Sequence, residues 1–216
     1  MSEVNLLRAL PLSKRNVTAR ATAKTSEHRR ISREFGEMYF DGPREYGYGG
    51  YHNDGRWKPV ASDIISHFGL VPGSRVLDIG CAKGFLVNDL VNQGIDAYGI
   101  DVSQYAVSCG ESQNQGRLCV ASADHIPFPD HSFDAVLSIN TAHNLPYLQC
   151  MASLREMERL APGKGFIQVD SYRTQAEKEL CESWVLTALY HDFPHGWRKL
   201  FDDAGYTGDW YWTIIN

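Results

Sequence analysis

Acidic residues and glycines near residue 80 have the types and spacing needed to bind a small cationic ligand. Asp78 is the last polar residue before a glycine turn, and Gly80 and Gly84 follow it closely. Glycine lets the chain turn sharply and lets a ligand approach the main chain. A carboxylate beside such a turn can accept hydrogen bonds from an ammonium group. The loop alone leaves an ordinary strand-to-helix turn as an alternative.

A second acid stands at a separation that suits nucleoside binding. Asp101 ends another short apolar run, about 20 residues beyond the glycine turn, where a carboxylate can accept hydrogen bonds from both ribose hydroxyls. The phosphate-binding pattern G-x-G-x-x-G is absent, because the glycines stand four apart and Lys83 lies between them. The loop and Asp101 together therefore predict a nucleoside site rather than a dinucleotide site.

These residues resemble the first motifs of class I S-adenosylmethionine-dependent methyltransferases, in which an acid is followed by alternating glycines. Ala82 stands where the family has its middle glycine. The resemblance implies S-adenosyl-L-methionine as cofactor and S-adenosyl-L-homocysteine as product. It implies an α/β fold, a Rossmann-like three-layer sandwich with a mostly parallel sheet and helices on both faces. The cofactor-binding residues that it implies are Asp78, Gly80, Ala82, Gly84, Asp101, Val102, Ala123, Asp124, His125 and Asn140.

A third segment extends the resemblance. Residues 121–128, in which Asp124 precedes Pro127 and Phe128, resemble the acid-x-x-x-Pro-Phe segment of the family, with two residues rather than three between the acid and the proline. This similarity implies that Asp124 accepts a hydrogen bond from the adenine amino group and that its neighbours flank the ring. A turn capped by the Asp124 side chain is the alternative.

Residues 39–57 combine five glycines with several aromatic residues and arginines. Aromatic faces and guanidinium groups suit the binding of a polar ligand. The stretch resembles a Gly-Tyr-Gly-Gly-Tyr…Asp-Gly-Arg-Trp segment of small bacterial family members, often associated with saccharide or secondary metabolism. We therefore assign Tyr48, Tyr51, Arg56 and Trp57 to the entrance of an active site. A loop packed only by its own tyrosines is the alternative.

The acceptor side of the site is predicted after the fourth strand. His143 follows that strand, and its ordinary pKa near 6.5 would let it act as a general base; a purely packing or hydrogen-bonding role is the alternative. Asn144 and Tyr172 are expected to contact the acceptor, since both follow strand ends. The Asn-Pro-Pro-Tyr signature of many base and amide N-methyltransferases is missing. We therefore expect methyl transfer to oxygen or nitrogen of a small polar acceptor of the sugar or secondary-metabolite type.

The elements that position these residues follow from apolar spacing. We divide the chain into an N-terminal extension with a lid and loop segment, residues 1–58, and a methyltransferase domain, residues 59–216. Strands are predicted at 76–79, 97–100, 118–121, 133–139, 166–169 and 210–215. The main helices are predicted at 28–40, 59–69, 85–92, 148–160, 177–190 and 194–204, the first forming the lid. One strand closes the sheet, so its C-terminal edge is expected to be shortened, or completed by a partner chain in a homodimer.

Composition narrows the class of protein. The 216 residues are 43% hydrophobic and contain no long apolar run, which predicts one core in a cytoplasmic protein without a membrane segment. Five scattered cysteines predict neither disulfides nor a metal site. Residues 1–34 hold eight Lys or Arg against three Glu, so an RNA-modifying methyltransferase with a basic arm is one alternative, although the acidic remainder disfavours nucleic acid. A non-catalytic S-adenosylmethionine-binding protein is another.

Overall fold

A computed structural model describes residues 1–11, 24–111, 114 and 116–215; most of the basic arm lies outside this range. The described residues contain a six-stranded sheet in the order β3-β2-β1-β4-β5-β6, with all neighbouring strands parallel. The strands are β1 Arg75–Ile79, β2 Asp96–Asp101, β3 Leu118–Val120, β4 Ala135–Ile139, β5 Gly165–Ser171 and β6 Asp209–Ile214. This topology confirms the predicted Rossmann-like α/β fold.

Helices cover both faces of the sheet. Successive residues of β1 point to opposite faces, and Leu77 and Val76 accordingly belong to two different apolar clusters. Burial on both faces is what a parallel sheet requires. The helices are α1 Ser26–Ser32, α2 Glu37–Phe40, α3 Trp57–Phe68, α4 Phe85–Val91, α5 Gln104–Ser108, α6 Tyr147–Leu160, α7 Gln175–Trp184 and α8 Pro194–Ala204, with a 3₁₀ turn at Ala142–Asn144.

The order of the strands creates a crevice. β1 lies between β2 and β4. The chain therefore first adds β2 and β3 on one side of β1 and then adds β4, β5 and β6 on its other side. Ligands of open α/β sheets bind at this reversal, outside the carboxyl ends of the strands. Gly80 and Cys81 both donate backbone hydrogen bonds to the carbonyl of Ile100, at 2.7 and 3.0 Å. The glycine loop is thereby fixed against the end of β2.

Two of the predicted helices differ from the observed ones. The helix expected over 28–40 is broken into α1 and α2, because Phe35 has a left-handed backbone (φ 49°) and its carbonyl accepts a hydrogen bond from the Ser103 hydroxyl. The helix expected over 177–190 ends at Trp184. Beyond it, the amides of Leu189 and Tyr190 donate to the carbonyl of His143 instead of continuing the helix. Tertiary contacts therefore override the local periodicity in both places.

The first residues of the chain lie along the outer edge of the sheet. Val4 donates to the carbonyl of Trp210 at 2.8 Å, and Trp210 donates to the carbonyl of Ser2 at 3.1 Å. Leu6 is buried in the cluster beneath α3. These residues thus pack against β6 and the cluster beneath α3, and the division of the chain at residue 58 stays a prediction. They also cover β6 at a point where a partner chain was one expectation.

Candidate cofactor and acceptor site

A cavity of about 250 Å³ lies at the carboxyl ends of β1, β2 and β4. Its floor is formed by the residues that follow these strands. Its roof is formed by residues 26–56, which we call the lid. Five lid residues line the cavity: Arg33, Phe35, Tyr39, Phe40 and Tyr48. Within the described residues, no group of three or more His, Cys, Asp or Glu side chains is arranged to hold a metal ion.

The glycine loop depends on left-handed backbone at three positions, with φ of 78° at Gly80, 50° at Ala82 and 74° at Gly84. A β-carbon at Gly80 would overlap the side chain of Thr141, so this glycine is required by packing within the protein. Alanine rarely adopts the left-handed conformation. Ala82 is held there by its amide, which donates to Asp101 Oδ2 at 2.8 Å. Gly80 and Ala82 line the cavity, whereas Gly84 does not.

Asp101 connects the loop to β2 on the cavity wall. It is 9% exposed, and its second oxygen accepts a hydrogen bond from the amide of Ser103 at 2.8 Å. Burial raises the pKa of Asp101, and the two backbone donors act in the opposite direction. Each oxygen has one such donor, which leaves further lone pairs for a ligand. Val102 lines the same wall and is 58% exposed.

Asp78 is a buried carboxylate beside the floor. Burial, followed by the negative charge of Asp101, raises its pKa to about 7. No side-chain hydrogen bond or ion pair to it is formed by the part of the chain that the structure describes. Asp78 itself does not line the cavity, but the next two residues, Ile79 and Gly80, do. A cation placed beside such a buried carboxylate would stabilise its ionised form.

The acceptor end of the cavity has an unsatisfied polar atom. Asn140 and Asn144 both line the cavity, and the Asn144 amide nitrogen donates to the carbonyl of Asn140 at 3.1 Å. The Asn144 oxygen is buried and has no hydrogen-bond partner among the described residues. Buried polar atoms are normally paired. The turn at Asn140 and Asn144 thus brings polar side chains to the cavity and contains one acceptor that the described residues leave unsatisfied.

His143 is held in a form that does not suit a general base. It is buried and does not line the cavity. Its Nδ1 accepts a hydrogen bond from the amide of Asp170 at 3.1 Å, so the neutral ring carries its proton on Nε2 and donates from there. Burial also lowers the pKa of His143. These contacts favour the packing and hydrogen-bonding alternative for His143.

Tyr172, the other predicted acceptor contact on this side, is likewise buried. Its hydroxyl donates to the carbonyl of His191 at 3.2 Å.

The four residues that the sequence assigns to the entrance of an active site are separated by the fold. Tyr48 lines the cavity. Tyr51 stacks on Phe85 with ring centres 4.9 Å apart and lies outside the lining. Arg56 is exposed and donates to Asp54 at 2.8 and 2.9 Å. Trp57 begins α3 and packs against the core cluster beneath it.

Comparison with known proteins identifies the domain that contains the floor. Residues 77–169 match the family model described as a methyltransferase domain. These residues belong to the class I S-adenosylmethionine-dependent methyltransferases. The match begins at β1 and ends in β5, so it includes the glycine loop, Asp101 and the Asn140 turn. The methyltransferase domain is thus the part of the chain whose spacing predicted a nucleoside site.

Relatives match the chain over part of their length. A demethylmenaquinone methyltransferase of Beutenbergia cavernae is 32% identical over 123 residues, which are 56% of this chain and 49% of the relative. A fatty-acid O-methyltransferase of Mycolicibacterium smegmatis is 33% identical over 107 residues, 47% of this chain and 38% of the relative. The chain therefore spans about half the length, or less, of these relatives.

Solved structures support the fold. The putative methyltransferase of Haloferax volcanii, solved in complex with the Trm112 methyltransferase activator, has a TM-score of 0.56 and 24% identity. The similarity covers 67% of this chain and 66% of that one. At this identity the similarity shows the fold alone.

The family's cofactor is S-adenosyl-L-methionine, and the residues of this methyltransferase domain fit it. Asp101 has lone pairs free for ribose hydroxyls, and Asp78 is a buried carboxylate that suits the cofactor's amino group. Val102 offers an apolar surface for the adenine ring, and Ala123 also lines that wall. Asp124 does not line the cavity, and its carboxylate accepts a hydrogen bond from the Ser122 hydroxyl. His125 is exposed and also lies outside the lining. Contact of Asp124 or His125 with adenine therefore remains a prediction.

The sequence predicts that the helix over 28–40 forms the lid, but it does not single out the residues of that helix that line the cavity. Phe35 and Tyr39 fit the apolar face of that helix, and Arg33 has no distinguishing neighbour. The available signal was the density of aromatic residues before the glycine-rich stretch. On the floor, Ser122, Thr141 and Leu145 also line the cavity, and each lies one or two residues from a predicted contact.

Proposed function

We propose that this protein transfers the methyl group of S-adenosyl-L-methionine to oxygen or nitrogen of a small polar acceptor of the sugar or secondary-metabolite type. The observation that carries the proposal is the continuity of one cavity from Asp101 to the polar turn at Asn140 and Asn144. Bound S-adenosyl-L-methionine supplies an activated methyl group on a sulfonium. The protein then mainly aligns the acceptor and excludes water.

The described residues of the cavity wall supply no side chain that suits a general base. Asp101 is assigned to the ribose hydroxyls, and the pKa of Tyr48 is raised by the neighbouring Tyr39. Nε2 of neutral His143 is a donor. We therefore infer that the attacking atom needs no base in the transition state, as for a neutral amine or an oxygen that is already ionised.

Arg33 narrows the acceptor further. Arg33 is the one cationic side chain among the described residues that line the cavity. No carboxylate among the described residues forms an ion pair with it. The neighbouring Arg30, in contrast, is held by Glu27 and Glu34. A guanidinium group binds carboxylate or phosphate well. An acceptor that carries an anionic group is thus favoured.

A second candidate is methyl transfer to carbon of a less polar acceptor. The demethylmenaquinone methyltransferase named above favours it, as do the apolar side chains of Phe35, Phe40 and Leu145 on the cavity wall. An RNA substrate bound by the basic arm stays a sequence prediction, since residues 12–23 lie outside the described range. A protein that binds the cofactor without transferring its methyl group is the remaining alternative.

The test is a mass-spectrometric screen with isotopically labelled S-adenosyl-L-methionine. Three acceptor pools are incubated in parallel: anionic and amino-bearing polar metabolites, quinones and lipids, and short RNA. Label in the first pool is the expected result. Label confined to the second or third pool would contradict the proposed acceptor class. S-adenosyl-L-homocysteine binding without label in any pool would favour the non-catalytic alternative.

A further inference from the structure

A buried ion pair joins the lid to the glycine loop. Lys83 lies between Ala82 and Gly84 and is 7% exposed. Its Nζ donates to both carboxylate oxygens of Asp41, at 2.8 and 2.6 Å. Lysine is rarely buried unless its charge is paired. The Lys83 side chain therefore depends on the lid, although its backbone belongs to the floor of the cofactor site.

Two more donors meet at the same carboxylate. The Tyr105 hydroxyl donates to Asp41 Oδ2 at 2.6 Å, and the backbone amide of Tyr51 donates to Oδ1 at 3.1 Å. Burial alone would raise the pKa of Asp41, but these donors and Lys83 outweigh it and lower the pKa to about 2. Asp41 is thus ionised at neutral pH. Its carboxylate connects the lid, the glycine loop and α5.

Two of the connected elements, the lid and the glycine loop, are walls of one cavity, and α5 begins two residues after the lining residue Val102. Ala82 precedes Lys83 and lines the floor, Phe40 precedes Asp41 and lines the roof, and α5 follows the Asp101 turn. Asp41, Lys83 and Tyr105 themselves do not line the cavity. Their effect on a ligand must therefore act through the residues beside them.

We propose that Asp41 is a positioning residue for S-adenosyl-L-methionine: it holds Lys83, Tyr105 and Tyr51 so that the glycine loop and the lid stand at the separation that the cofactor requires. Docking of the lid and binding of the cofactor are then coupled. The proposal rests on the cofactor part of the proposed function and is independent of the acceptor.

The experiment measures binding of S-adenosyl-L-homocysteine by calorimetry and its dissociation rate by stopped flow. The variants are Asp41→Asn, Lys83→Met, the double variant and Tyr105→Phe. We expect each single change at Asp41 or Lys83 to weaken binding about tenfold and to speed dissociation. The double variant should be no weaker than the single variants, since both remove one interaction. Tyr105→Phe should have a smaller effect in the same direction.

Glu34→Gln is the matched control, because Glu34 pairs with Arg30 in the lid and, among the described residues, its side chain forms no hydrogen bond or ion pair with the loop or α5. It should leave binding unchanged. If Asp41→Asn does not fold, Lys83→Arg, which retains the charge, and Tyr105→Phe decide the question. Unchanged ligand affinity in Tyr105→Phe together with a lowered melting temperature would mean that the network only stabilises the fold, and would overturn the proposal.

Hydrogen exchange of the ligand-free protein separates this inference from the proposed function. Amides of residues 35–51 should exchange faster in Tyr105→Phe than in the unmodified protein, while those of Glu34→Gln should not. A wild-type protein that fails to bind S-adenosyl-L-homocysteine would contradict the proposed function. Identical exchange in Tyr105→Phe and the wild type would contradict the coupling of lid and loop.

Discussion

The floor and the roof of the cavity are built in different ways. On the floor, Asp101 is held by the amides of Ala82 and Ser103, each fixed by its place after a strand. On the roof, Phe35, Tyr39 and Phe40 hold one another edge to face, with ring centres 5.2 and 5.1 Å apart. The floor follows from strand order and loop geometry. The roof follows from side-chain packing, which tolerates many alternatives. A family can therefore keep its cofactor floor while its roof varies with the acceptor.

The largest expected effect is on the floor. Asp101→Ala should abolish measurable binding of S-adenosyl-L-homocysteine, since each lost charge-assisted hydrogen bond to a ribose hydroxyl costs about 1.5–3 kcal/mol. The same change leaves the amides of Ala82 and Ser103 without acceptors, so we also expect a lower melting temperature. Calorimetry and thermal unfolding measure the two effects separately. Retained affinity in Asp101→Ala would contradict the ribose assignment.

The same contrast explains what the sequence could predict. The positions of Asp78, Gly80 and Asp101 could be predicted because a strand end, a tight turn and a second strand end are local features with fixed spacing. The bend at Phe35 could not, because it is set by a hydrogen bond from Ser103, far along the chain. Nor could the pairing of residues 2–4 with β6, since a short polar start carries no periodic signal.

The acceptor side shows a different limit. His143 was correctly expected near the end of β4, but its role depends on which ring nitrogen is free, and this is decided by the Asp170 amide. Residue type and position cannot supply that information. Arg56 was chosen for its guanidinium group, yet a partner two residues away, Asp54, binds it. Residue types alone therefore do not define a functional site. The hydrogen bonds that each side chain already forms must be known as well.

The next prediction concerns the buried charge of Asp78. Its pKa is raised to about 7 from an ordinary value near 3.8, so the folded protein binds this proton more tightly than the unfolded chain. The free energy of unfolding should therefore fall as pH rises from about 4 to 7, by up to about 4 kcal/mol from this group. Asp78→Asn should remove that slope and stabilise the ligand-free protein at pH 8. Urea unfolding of both proteins at several pH values measures this pH dependence and the stabilisation at pH 8.

Binding gives the complementary readout for Asp78. Because the ammonium group of S-adenosyl-L-homocysteine prefers an ionised carboxylate, affinity for this ligand should rise as pH increases through about 7 in the wild type. Asp78→Asn should bind more weakly and lose this dependence. A variant that is both less stable at pH 8 and unchanged in affinity would show that the carboxylate has another role.

A smaller effect is expected at the roof. Arg33→Gln should raise the KM of an anionic acceptor about tenfold, and should leave the affinity for S-adenosyl-L-homocysteine unchanged. Steady-state kinetics with an acceptor found by the screen measures the KM, and calorimetry measures the affinity for S-adenosyl-L-homocysteine. Arg29→Gln is the control, because Arg29 lies in α1, the helix that Arg33 follows, but outside the cavity lining. A loss of cofactor affinity in Arg33→Gln would instead assign this guanidinium to the cofactor's carboxylate, and would move Arg33 from acceptor recognition to cofactor recognition.

The smallest effect is expected at Arg56, which tests how far the roof extends. Its guanidinium is exposed and paired with Asp54, and exposed pairs of this kind contribute about 0–1 kcal/mol. Arg56→Ala should therefore change turnover less than about twofold. Hydrogen exchange adds the spatial limit: bound S-adenosyl-L-homocysteine should protect residues 46–51, which include Tyr48, but not residues 53–56. Protection that continues through 56, together with reduced turnover in Arg56→Ala, would show that the whole glycine-rich stretch closes over the ligand, and that the roof in this structure is only its inner part.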